Sequence, residues 1–276
     1  MKIVACTPTR NRRWAWNFSK SCMDAQIQKP DVWIVVDNST EPELDWSIAN
    51  WAPHRIYEHV DEPKPIGWLR NRCLELALQE GADYIVFWDD DDYYPPTRIS
   101  SSIQALEAKP EADIAGTSMM YLLLTRENVL MTTGPFHDHH CTGATMTVRR
   151  RYAEKNRFDP EKARGEEVTF TKNWMANVVQ LRPEDVIVVM GHQHNTVDKS
   201  DLLRNPKLYC AKVINDINGK MVFRSRWPVQ ADLWKSTFFG EEYARLQKNI
   251  PSVEFQTVVL PILHTEGTEE SAEHRA

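Results

Sequence analysis

Residues Tyr84 to Pro96 read YIVFWDDDDYYPP, and this stretch restricts the fold more than any other. The apolar run Tyr84 to Trp88 leads without interruption into four aspartates, two tyrosines and two prolines. A short apolar run bounded by turn chemistry predicts a strand buried on both faces. Asp89, Asp90, Asp91 and Asp92 then fall at the strand's carboxyl end, where open α/β sheets take their ligands. Adjacent carboxylates repel one another. A fully solvated loop tolerates them, and so does a loop gathered around a hard cation such as Mg²⁺ or Mn²⁺. The flanking Trp88, Tyr93 and Tyr94 weigh against full solvation.

Two earlier runs repeat the pattern. Lys2 to Thr7 (KIVACT) leads into Pro8, Thr9, Arg10, Asn11, Arg12 and Arg13. That loop suits phosphates, through hydroxyls, backbone amides and guanidiniums, or is a solvated basic turn. Asp31 to Asp37 (DVWIVVD) ends in a carboxylate. Asp37 there can accept from a ribose hydroxyl or a base N–H, or cap the Asn38-Ser39-Thr40 turn. Residues 56–59 are expected as a third strand. Apolar spacing predicts helices over 14–26, 66–79 and 97–109, Gly81 stopping the second. Gly67, Arg70 and Asn71 lie in that helix's first turn, where anions are favoured. Arg70 is equally compatible with an exposed helix face.

Beyond the aspartates, strands are expected over 112–120, 142–149 and 180–190, the last apolar over 186–190, and a hairpin over 121–133. A helix is expected after Gly165-Glu166-Glu167, through Val168, Phe170, Trp174, Met175 and Val178. Glu166 and Glu167 either favour the helix dipole or supply a general base. His137, His139 and His140 match no zinc spacing and read as a surface loop near the site. The chain changes character near Leu202. A hairpin is expected around Asn218-Gly219, then an amphipathic helix over 230–248 and an apolar segment to Leu263. Its aromatics, Trp227, Trp234, Phe238 and Phe239, would be plain core, cover an acceptor or join a homodimer. We therefore expect a catalytic domain over 1–200, an extension over 201–264 and a disordered polar tail over 265–276.

The 276 residues carry a net charge of −6, which gives no support for broad nucleic-acid binding. Five scattered cysteines without a CxxC argue for a reducing compartment. No signal-like start and no run of bilayer length is present, so a cytoplasmic enzyme is expected.

Strands alternating with helices predict an α/β layered fold with a mainly parallel sheet. TPTRNR, VVDNST, IGWLRNR, DDDD, TGATMTVRR, GEEVTF and GHQHNT, in that order over roughly residues 1–198, resemble the inverting GT-A glycosyltransferases of the family-2 type. The resemblance implies a Rossmann-like sheet with helices on both faces, plus a C-terminal α+β extension. It implies a nucleoside-diphosphate sugar donor, by default a UDP-sugar, a hydroxyl acceptor, and Mn²⁺ or Mg²⁺. Thr7, Pro8, Thr9 and Arg10 would meet the nucleotide and Asp37 the base or ribose. Gly67, Arg70 and Asn71 would meet the diphosphate. Asp89, Asp90 and Asp92 would lie along the donor. Asp91, His192 and Asp89 would form the metal site. Glu167 or Glu166 would be the base, although Glu167 stands where the family carries Asp. A non-catalytic nucleotide- or glycan-binding module and a related nucleotidyltransferase are the alternatives.

Overall fold

The structure is a computed structural model. It describes residues 1–42, 54–124, 129–195, 199, 201–205 and 207, with strand residues 212–213, 222–225 and 254–257. The expected helix over 230–248, its aromatics and the tail lie outside the described residues.

The first half alternates strands and helices: β1 (Ile3–Thr9), α1 (Trp16–Asp24), β2 (Val32–Asp37), β3 (His54–His59), α2 (Ile66–Gln79), β4 (Tyr84–Phe87) and α3 (Arg98–Ala108). Then follow β5 (Ile114–Gly116), β6 (Met120–Leu124), β7 (Val129–Thr133), β8 (Thr147–Arg149), α4 (Arg150–Ala153), α5 (Glu167–Phe170), β9 (Val178–Gln180) and β10 (Val188–Gly191). Last come α6 (Asp201–Arg204), β11 (Lys212–Val213), β12 (Val222–Ser225) and β13 (Glu254–Thr257).

The main sheet has seven strands in the order β3-β2-β1-β4-β8-β5-β9. It is parallel except at β8, which runs antiparallel to both β4 and β5. The two-residue period of a strand sends alternate side chains to opposite faces. In β1, Ile3 and Ala5 join one core and Val4 and Cys6 the other. In β4 and the residue after it, Tyr84, Val86 and Trp88 divide likewise from Ile85 and Phe87. Helices α1 and α3 cover the first face, through Phe18, Met23, Ile99 and Leu106. Helix α2 covers the second, through Leu69, Cys73, Leu74 and Ala77. Burial on both faces is why these strands read as unbroken apolar runs.

A second sheet, β10-β6-β7-β11, stands beside the ends of the first. Tyr93 and Val188 exchange backbone hydrogen bonds (3.1 and 2.9 Å), joining the loop after β4 to β10.

Several local expectations change. The strand expected over 112–120 shortens to β5, and β6 and β7 pair antiparallel as the hairpin expected over 121–133. Residues 143–145 form a 3₁₀ turn, so β8 covers only 147–149. The helix expected over 168–178 stops after one turn, because Lys172, Asn173 and Trp174 adopt left-handed backbone (φ 55°, 54° and 64°). The carbonyl of Asn177 then accepts from the amides of Asp113 and Ile114, which draws the chain into the sheet edge as β9. The described residues of the C-terminal hairpin do not pair with each other. β11 pairs antiparallel with β7, and β12 pairs parallel with β13.

Candidate active site

A cleft of about 1070 Å³ opens where the main sheet's strand ends face the second sheet. Six carboxylates line it, Asp89, Asp90, Asp91, Asp92, Glu166 and Glu167. Six cations do so too, Arg10, Arg12, Lys64, Arg70, Arg164 and Lys199.

The four aspartates each take a different partner. The amide of Asp89 donates to the Tyr94 hydroxyl (2.7 Å), and its carboxylate accepts from Arg70 Nη2 (3.1 and 3.4 Å). Asp90 accepts from the Thr9 hydroxyl. Asp91 Oδ2 lies 3.1 Å from Arg12 Nε and 3.1 Å from His192 Nε2. Asp92 Oδ1 accepts from the amide of Met190 at 2.8 Å, which anchors the loop to β10. Burial pushes the carboxyls of Asp89, Asp90 and Asp92 upward, and the neighbouring Asp91 charge adds to it. Burial also opposes ionisation of Asp91, but His192 and Arg12 prevail and hold that carboxyl below its ordinary value. Asp91 is thus the aspartate kept charged by its surroundings.

Arg70 is buried beneath the opposite wall. Its Nε donates to Glu166 Oε1 at 2.9 Å, its Nη2 reaches Asp89, and its guanidinium lies over the Phe87 ring at 5.5 Å. Nη1 is buried without a hydrogen-bond partner among the described residues. Gly143 leaves room for this side chain, since a Cβ there would sit 2.8 Å from Arg70 Cζ. Glu167 follows Glu166 at the start of α5. Burial first, and the Glu166 charge second, raise the Glu167 carboxyl to about 7.

Of the candidate residues, Pro8, Thr9, Arg10, Arg70, all four aspartates and both glutamates line the cleft. His192 reaches it through Asp91. Other candidates are placed differently. The Thr7 hydroxyl accepts from Trp33 Nε1 (2.9 Å) inside the core. Asp37 is wholly buried, with Oδ1 accepting from the Ser39 amide (2.8 Å) and Oδ2 from the Tyr57 hydroxyl (2.6 Å). Asn71 brackets Phe158, donating to its carbonyl (2.9 Å) and accepting from its amide (2.8 Å). The backbone of residue 159 passes so close to Gly67 that a Cβ there would meet its carbonyl oxygen at 1.9 Å. Gly67 and Asn71 therefore hold the loop that delivers Glu166 and Glu167. Arg12 is the residue that sequence reasoning did not single out. It stands among three arginines in four positions, and spacing alone does not say which one turns inward.

Asp91 and His192 supply oxygen and nitrogen donors that fit a divalent cation completing its shell from a diphosphate. Asp89 accepts from Arg70 and Asp91 from Arg12, each at 3.1 Å, so either carboxylate has to exchange an arginine contact to take a cation. Among the described residues no set of three protein ligands is gathered.

A mainly parallel sheet sealed by helices on both faces, with carboxylates at its strand ends, places this domain in the GT-A class of α/β folds. The chain belongs to glycosyl transferase family 2, whose family model matches residues 5–170. Among solved structures it is similar to the mannosyltransferase PcManGT from Pyrobaculum calidifontis in complex with GDP-Man and Mn²⁺. The TM-score is 0.53 and the identity 14%, over 70% of this chain and 58% of that one. It is also similar to residues 1–349 of TarS from S. aureus in complex with UDP-GlcNAc. Here the TM-score is 0.55 and the identity 16%, over 76% of this chain and 65% of that one. These likenesses show the fold, and the chain spans less than two thirds of both proteins. No curated protein matches the sequence. Among the described residues no helix is long and apolar enough to cross a membrane.

Proposed function

We propose that this chain transfers a sugar from a nucleoside-diphosphate sugar to an acceptor hydroxyl, with inversion, and that Glu167 is the general base. The observation that carries the reading is the division between the two glutamates. Glu166 is committed to Arg70, whereas Glu167, raised to about 7, is poised to accept a proton near neutrality.

The acceptor O–H proton passes to the Glu167 carboxylate as the oxygen attacks the anomeric carbon. The bond from that carbon to the diphosphate oxygen breaks, and the nucleoside diphosphate leaves with the electron pair. A single displacement inverts the anomeric centre. Arg12, with Arg10 and Lys64 on the same cleft, faces the charge developing on the leaving group. Asp91 and His192 would hold a Mn²⁺ or Mg²⁺ ion. Such an ion supplies Lewis-acid stabilisation of the diphosphate. A UDP-sugar is the proposed donor. Residues 1–200 act as the catalytic domain and 201–264 as its extension. The described cysteines are free and buried, which supports a cytoplasmic setting.

The deciding experiment incubates the purified protein with a panel of nucleotide sugars, with and without Mn²⁺, and follows nucleoside diphosphate release. Release from one donor, lost in Glu167→Gln, supports transfer. Pyrophosphate release instead would point to nucleotidyl transfer. Binding without turnover of any donor would leave a non-catalytic module.

A further inference from the structure

The loop over residues 134–141 builds an aromatic wall on the glutamate side of the cleft. The His140 ring lies between Phe136 and Trp174, with centroids 4.7 and 4.5 Å away and planes tilted by 48° and 33°. His137 closes the group edge-on to His140 (5.6 Å) and to Trp174 (5.8 Å). Phe136 and His140 line the same cleft as Glu167. Phe136 is 38% exposed, where a phenyl ring is ordinarily covered.

The wall is pre-formed. Gln180 Nε2 donates to the carbonyls of Asp138 (2.7 Å) and His140 (2.9 Å), and His139 Nδ1 lies 3.0 Å from the carbonyl of Ala176. Trp174 is carried by the turn that Glu167 begins. The carbonyl of Glu167 accepts from both the amide and the hydroxyl of Thr171, each at 2.8 Å. The turn then runs through three successive left-handed, non-glycine residues, a costly backbone that survives only where its surroundings enforce it. Glu167 and the ring stack are therefore fixed relative to one another. Burial first, and the Glu167 charge second, push the Cys141 thiol upward. Burial first, and His137 second, lower His140 to about 4, so the His140 ring behind Phe136 is neutral at pH 7.

A neutral aromatic face beside a general base suits a ligand that is apolar on its flat side and hydroxylated at its edge. Pyranose rings have that shape, with axial C–H bonds on the face and hydroxyls around the rim. We propose that Phe136, backed by His140 and Trp174, is the acceptor subsite, and that the acceptor is a pyranoside whose ring packs on Phe136 with a hydroxyl turned to Glu167. This rests on Glu167 being the base, and it names the substrate class which that base serves.

The test is equilibrium binding of methyl hexopyranosides and their disaccharides to the full chain, by calorimetry and saturation-transfer NMR, with and without UDP and Mn²⁺. Glycerol 1-phosphate and 4-nitrophenol serve as non-sugar controls. We expect a pyranoside to bind, Phe136→Ala to weaken it about tenfold and Phe136→Tyr to retain it, as loss and recovery of one aromatic face dictate. Trp174→Phe should give an intermediate loss, because the backing ring shrinks but stays. In turnover, Phe136→Ala should raise the acceptor KM with the donor KM within about twofold. Binding of no pyranoside, tighter binding of a control, or pyranoside binding indifferent to Phe136→Ala would overturn the proposal. Pyranoside binding without donor turnover would sink the transfer reading and leave this subsite standing. Donor turnover without pyranoside binding would do the reverse.

Discussion

Arg70 Nε and Glu166 Oε1 lie 2.9 Å apart, and both side chains are buried. The pair joins α2 to the residue just before α5, and Arg70 also reaches Asp89 at the end of β4. One guanidinium thus fixes three chain segments around the cleft. The desolvated charges are tolerable only together.

Arg70→Met should remove this joint and leave Glu166 and Asp89 without their cation. We expect a loss of about 3–5 kcal/mol, the usual cost of stranding a buried charge. Urea unfolding followed by circular dichroism reads this as a lower midpoint at an unchanged slope. Arg70→Lys should recover little, since an ammonium does not reproduce the fork. An unchanged midpoint would show that the site does not depend on this joint.

Glu167→Gln should slow transfer by ~10²–10⁴, the range for a positioned base. In the wild type, kcat/KM should rise with pH through about 7 and level off above, because only the ionised carboxylate takes the acceptor's proton. A profile flat between pH 5 and 8 would exclude Glu167 as the base.

The same group makes a separate stability prediction. The Glu167 carboxyl is raised from 4.5 to about 7 on folding, so the native state holds its proton more tightly than the unfolded chain. Its contribution is fully present below pH 4.5 and is lost as pH rises through about 7. Relative to wild type, Glu167→Gln should therefore be stabilising at pH 8, on the order of 1–3 kcal/mol, and near neutral at pH 4. Thermal unfolding at the two pH values checks the sign.

Gly67→Ala tests the loop that delivers the glutamates. The added methyl would meet the carbonyl oxygen of Asp159 at 1.9 Å, and backbone has to move. A loss of about 1–3 kcal/mol is expected, as for overpacking elsewhere, together with slower transfer as Glu166 and Glu167 shift. Wild-type behaviour in both assays would mean that the loop is free to adjust.

Mn²⁺ should raise the Tm of the wild type in a concentration-dependent way, and chelation should reverse it, because a ligand of the native state stabilises it by mass action. Asp91→Asn should abolish the shift and His192→Ala should weaken it. A shift preserved in Asp91→Asn would place the cation elsewhere.

The sequence by itself determined the layers and the acidic strand end. Apolar runs at β1, β2 and β4 have to be covered on both faces, and the 3.6-residue spacing of Leu69, Cys73, Leu76 and Ala77 supplies a helix to cover one of them. Asp89 to Asp92 were legible because they end an apolar run, and Glu166 and Glu167 because they stand directly before one. What such patterns do not carry is the partner of each charge. That Arg12 rather than Arg10 meets Asp91, that Arg70 turns inward to Glu166, and that Gly67 and Asn71 hold a loop all depend on contacts between residues distant in sequence. The turn over 172–174 is a further case. Local spacing favoured a helix there, but pairing of β9 with β5 and packing of Trp174 on His140 outweighed it. Local periodicity records which face is buried, and only the assembled tertiary structure decides which buried groups meet.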